Sequence, residues 1–80
     1  MTALYVLDVP ENTTVAKVAA EAGASVGKIG PYFEITAEGP IVIDRRATGC
    51  RYSVWYSCIA GVGGGRIVQH DKNALQVDPA

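Results

Sequence analysis

Eighty residues make one domain that buries only about 60–65% of its unfolded surface, which excludes a second folded unit and any deep core. Apolar residues are 49% of the chain and charged ones 19%, below the usual figure of about 25%, so apolar surface is left over for a partner. Seven Lys and Arg against eight Asp and Glu give a net charge of −1, which supplies neither the basic field of a nucleic-acid binder nor strong steering by charge.

The N-terminus MTALYVLDVPENTT has no positive region or cleavage-like site, and no apolar run nears the ~20 residues that cross a bilayer. A soluble protein is expected, in the cytoplasm or within an assembled particle. Residues 3–9, ALYVLDV, are rich in β-formers and stop at Pro10, so they predict a strand with Leu4, Val6 and Asp8 on one face and Tyr5, Leu7 and Val9 on the other. Asn12, Thr13 or Thr14 can cap a helix that follows. Val15, Val18, Ala19 and Ala22 make its inner stripe, Lys17 and Glu21 point outward, and Gly23 sits where a left-handed C-cap is wanted.

From residue 31 the period becomes two. PYFEITAE alternates Phe33, Ile35 and Ala37 against Tyr32, Glu34, Thr36 and Glu38, and Gly39-Pro40 breaks it before IVID, which predicts a hairpin. RRATG is expected as a polar loop. CRYSVWYSCIA then alternates Cys50, Tyr52, Val54, Tyr56, Cys58 and Ala60 against Arg51, Ser53, Trp55, Ser57 and Ile59, predicting the longest strand. GVGGG, from Gly61 to Gly65, interrupts it, and RIVQ and ALQV flank the turn HDKN as a last hairpin. The expected fold is α+β: a single domain, residues 1–80, with one N-terminal helix packed on a mostly antiparallel sheet in the order strand, helix, then five strands.

Residues 15–33, VAKVAAEAGASVGKIGPYF, resemble the helix-turn-helix of the tetracycline-repressor and lactose-repressor families through Val18-Ala19, the Ala22-Gly23 turn, Ser25 as cap and Ile29 as packing residue. The resemblance covers about a quarter of the chain and implies a second helix carrying Ser25, Val26, Gly27 and Lys28 into the major groove. Gly30-Pro31 would stop that helix after about one turn, since Pro removes a backbone donor and forces its predecessor out of the α region.

Other constellations carry less chemistry. The Gly61–Gly65 run with Arg66 offers N–H groups to an anion but lacks the Lys-Ser/Thr of a phosphate loop. His70-Asp71 are strand neighbours that point to opposite faces. Cys50 and Cys58, at opposite ends of one predicted strand, stand about 26 Å apart at ~3.3 Å per residue and are expected as free, half-buried thiols. Asp44-Arg45-Arg46 with Arg51 forms a basic cluster partly neutralised by its own Asp44 and by Glu38.

No nucleophile, base and oxyanion site assemble, so no enzyme activity, cofactor or metal is expected. The reading is a non-catalytic interaction or structural protein, a decoration, cement or accessory subunit that binds copies of itself or a larger assembly through sheet edges and aromatic contacts. Trp55, Tyr56 and Ile59 are its anchors, with Arg51 and Arg66 at the rim. The alternative is a small DNA-binding regulator using residues 15–29.

Overall fold

The computed structural model describes residues 1–79. In chain order it runs β1 (Thr2–Leu7), α1 (Thr13–Glu21), β2 (Ser25–Ile29), β3 (Tyr32–Ala37), β4 (Ile41–Asp44), α2 (Arg45–Thr48), α3 (Tyr52–Ser57), β5 (Ile59–Gly64), β6 (Arg66–His70) and β7 (Ala74–Asp78). The α+β expectation holds, but the strands divide into two antiparallel sheets. One has the order β2-β3-β1-β5 and the other β4-β7-β6.

Strand parity in the first sheet follows the sequence. Leu4 and Val6 of β1 are buried, opposite Ile35 and Phe33 of β3, while Tyr5 and Leu7 face outward. α1 begins after a 3-10 turn at Pro10–Asn12 and ends at Gly23, whose φ of +104° is the left-handed stop that glycine permits. Its buried residues are Val15, Ala16 and Ala19; Ala22 is already the C-cap and falls outside the stripe. Asn12 stands at the N-cap but makes no cap bond, its amide donating instead to the Leu7 carbonyl at 2.9 Å. The small inner face lets α1 lie close against β2, β3, β4 and α2.

Four expectations are corrected. The second helix implied by the repressor resemblance is β2: Ser25, Val26, Gly27 and Lys28 are extended, and Gly30 (φ +56°) with Pro31 turns the chain directly into β3. β3 and β4 do not form a hairpin, because Glu38-Gly39-Pro40 carries the chain from one sheet to the other and β4 pairs with β7. The RRATG segment is helical, with the Asp44 side chain accepting from the Arg46 N–H at 3.3 Å and Gly49 (φ +70°) closing it. Finally, residues 52–57 of the predicted long strand are α3. Positions 50, 54 and 58 share a strand face, and Val54 and Cys58 also share a helix face at i, i+4, so the apolar pattern serves both periods.

The glycine run is a strand and a corner. β5 and β6 are nearly continuous and change sheets at Gly65, whose φ is +102° and whose missing Cβ would strike the Asp78 carbonyl oxygen. β6 and β7 form the predicted last hairpin. The core between helices and sheets contains Leu4, Val6, Val15, Ile35, Ile43 and Trp55, and both cysteines are buried in it and free.

Candidate protein-interaction surface

α3 is short, and its extended N-cap Arg51 makes no side-chain cap bond; Ser57 Oγ donates to the Ser53 carbonyl at 2.7 Å near its end. Its sequence sends Val54, Trp55 and Cys58 inward and leaves Tyr52 and Tyr56, one turn apart, exposed at 54% and 49%. The Arg45 guanidinium lies 4.6 Å from the Tyr52 ring centre, and the His70 ring stands 5.2 Å from that of Tyr56. Arg45 is itself fixed by donating to the Lys72 and Cys50 carbonyls. Two exposed phenols are thus held between a guanidinium and an imidazole, a rigid face that offers apolar area and hydrogen bonds at little entropic cost.

A second bare surface is the outer face of the first sheet. Leu7, Tyr32 and Ile29 stand in register across β1, β3 and β2, and Leu7 and Ile29 are 42% and 52% exposed. They adjoin an open hollow of about 380 Å³ lined by Tyr5, Ile29, Gly30, Pro31 and Tyr32. Tyr5 lies over Gly63, where a Cβ would come within 2.6 Å of the ring, and its hydroxyl donates to Glu34 Oε2 at 3.0 Å. That bond and the carboxylate's charge raise the phenol's pKa. The parity of β1 and β3 shows these side chains in the sequence, but both faces of β1 are apolar there, and nothing in it says which face is covered.

Of the predicted anchors, Tyr56 is exposed on α3 and Arg51 is exposed at its start, whereas Ile59 is half-buried on β5 and Arg66 is exposed on β6. Trp55 is corrected: it is fully buried, and its indole N–H donates to the Asp71 carbonyl at 2.6 Å, tying α3 to the β6-β7 turn. Helix geometry turns Trp55 about 100° from Tyr56, so the two no longer lie on opposite strand faces. His70, read as a surface residue, packs edge-on to Trp55 at 5.7 Å.

Burial pushes the Cys58 thiol up to about 11, with nearby Cys50 adding to the rise, so it is held as a protonated core side chain. Among the described residues, no group of three or more His, Cys, Asp and Glu is placed to hold a metal ion, and no helix is long and apolar enough to cross a membrane. Gly63, Gly64 and Gly65 face the Tyr5 ring, the Met1 carbonyl and the Asp78 carbonyl, so close packing accounts for them without an anion.

No protein-family model matches the chain, and no curated protein matches it in sequence. A chain in the solved structure of a phenol hydroxylase-regulatory protein complex is similar in fold, with a TM-score of 0.78 at 15% identity. The match covers 99% of this chain and 98% of that one.

Proposed function

We propose that this chain is a small, non-catalytic accessory subunit that docks on a larger enzyme and modulates it. The observation that carries the reading is the whole-length likeness to a chain of its own size in a hydroxylase-regulatory protein complex. The chemistry agrees: Cys58 is a protonated core thiol, and the exposed side chains worth most to a partner are the α3 tyrosines. Tyr52 and Tyr56 are the central contacts, Arg45 and Arg51 sit at the rim, and Ile59 and Arg66 are secondary.

The test titrates the purified chain into the catalytic component of a hydroxylase from its own host, with light-scattering chromatography and turnover as readouts. A stoichiometric complex and an altered rate are expected, with Tyr56→Ala weakening both by roughly tenfold, the usual cost of truncating an interface aromatic. Duplex DNA is run in parallel at low and high salt. A shift with DNA, weakened by Lys28→Ala and absent with the enzyme, would replace this reading with the DNA-binding one.

A further inference from the structure

The sheet edges differ in how they refuse another strand. The register of β5 against β1 shifts twice, between Ala3 and Leu4 and between Tyr5 and Val6, and β6 carries an extra residue, Val68, against β7. β4 has four residues and follows directly on Pro40. Irregularity, shortness and proline all discourage edge pairing. β2 has none of them: its five residues are exposed, and its register with β3 is unbroken.

The phase of the ladder decides which groups β2 presents. The Asp8 N–H donates to the Pro31 carbonyl at 2.9 Å, so residues 31, 33 and 35 turn their backbone groups toward β1, and 32, 34 and 36 turn theirs toward β2. Ser25, Gly27 and Ile29, opposite Thr36, Glu34 and Tyr32, therefore bond to β3. The N–H and C=O groups of Val26 and Lys28 point away from the sheet.

We infer that β2 pairs antiparallel with β2 of a second copy of this chain, about a two-fold axis at Gly27. In that register Val26 faces the other copy's Lys28 and Lys28 faces its Val26, so every outward backbone donor and acceptor at these two positions finds a partner. Charge selects the same register. Centring the axis on Lys28 sets two ammonium groups directly opposite each other, which is destabilising. Centring it on Val26 leaves Lys28 against Ala24, beyond the strand. At the axis, Gly27 occupies the non-hydrogen-bonded position where facing side chains come closest, and it has none. The Lys28 ammonium is drawn back to the Asp8 carboxylate at 3.2 Å, away from the seam. A two-fold contact uses the edge on both copies, so assembly closes at the dimer.

This inference stands apart from the accessory reading and is tested on the free chain. Single variants Gly27→Cys, Val26→Cys and Lys28→Cys are oxidised with diamide, which takes up the two hydrogens released as two thiols become one disulfide. No clash opposes the first, since a Cβ at Gly27 meets nothing within 4 Å. Its thiols face each other across the axis, whereas those at 26 or 28 are diagonal, ~7–8 Å apart and beyond disulfide reach. Cross-linking of Gly27→Cys at least about tenfold faster than the other two is expected, over a background from buried Cys50 and Cys58 measured in the wild type. In sedimentation equilibrium the reduced wild type should rise toward twice its monomer mass with concentration. Val26→Pro, which removes one outward N–H and leaves the β3 bonds intact, should associate less. Equal cross-linking rates in all three variants, or a wild type monomeric at every concentration, would overturn the pairing. If Val26→Pro fails to fold, the cysteine series decides alone.

Discussion

Trp55 joins two kinds of interaction at one residue, and substitutions separate them. Its ring fills the core beneath α3 while its N–H holds the Asp71 carbonyl at 2.6 Å. Trp55→Ala is expected to cost about 3–5 kcal/mol, and Trp55→Phe, which keeps most of the volume but orphans the carbonyl, about 1–3 kcal/mol, both read from urea unfolding. Asp71 adds a pH dependence. Its carboxylate accepts from the Asn73 and Ala74 N–H groups at 2.9 and 3.1 Å and from the Gln69 amide, which lowers its pKa. The fold thus favours the charged form: the stabilisation is present at neutral pH and lost as pH falls through the lowered value. Melting temperatures should drop on acidification below about pH 4, and less steeply in Asp71→Asn, which keeps an oxygen acceptor and has no proton to gain. Cys58 gives the opposite window. With its thiol raised to about 11, stability is full below the unfolded cysteine range and lost as pH climbs toward 11, so Cys58→Ala should flatten the alkaline limb of the same titration.

At the scale of elements, the sequence is legible where one period excludes the other. In β1 and β3 the alternation of Leu4 and Val6, and of Phe33 and Ile35, has no helical counterpart, and both strands form with the expected faces. In 50–58 the apolar residues satisfy both periods; the Asp44 cap and the Gly49 stop act on α2, and α3, which has no side-chain cap, is tied in place by the buried indole bond of Trp55 to Asp71. Of the two aromatic anchors, only Trp55 changes place for this reason: a strand exposes it and a helix buries it, while Tyr56, and Tyr52 with it, stays outside. The small-residue segment after α1 fails in the other direction. Ser25–Ile29 matches a recognition helix by residue type, yet the two-residue turn at Gly30-Pro31 requires extended chain on both sides. Gly65 shows what a local pattern cannot contain: its need for no side chain arises from Asp78, thirteen residues on. Gly65→Ala combines a left-handed backbone with a collision against a carbonyl, and a loss of at least about 1–3 kcal/mol in urea unfolding is expected. Gly61→Ala, with nothing within 4 Å of the added methyl, should change stability by no more than about 0.5 kcal/mol.

For the molecule as a whole, the division of apolar side chains separates folding from recognition. Those that hold the sheets and helices together are buried, whereas Tyr52 and Tyr56 on α3, and Leu7 and Ile29 on the bare sheet face, contribute little that unfolding would remove. Replacing each of these four by Ser should therefore shift the free energy of unfolding by only about 0.5 kcal/mol, while under the proposed accessory role a substitution at the contact should weaken the enzyme complex by roughly tenfold. The two faces are told apart in the same titration. If α3 is the contact, Tyr52→Ser and Tyr56→Ser weaken the complex while Leu7→Ser and Ile29→Ser leave it unchanged; the reverse result moves the contact to the hollow beside Tyr5. The Arg45–Tyr52 cation–ring contact and the tilted His70–Tyr56 ring contact favour the first outcome, because they order the tyrosines before a partner arrives and lower the entropy lost on docking.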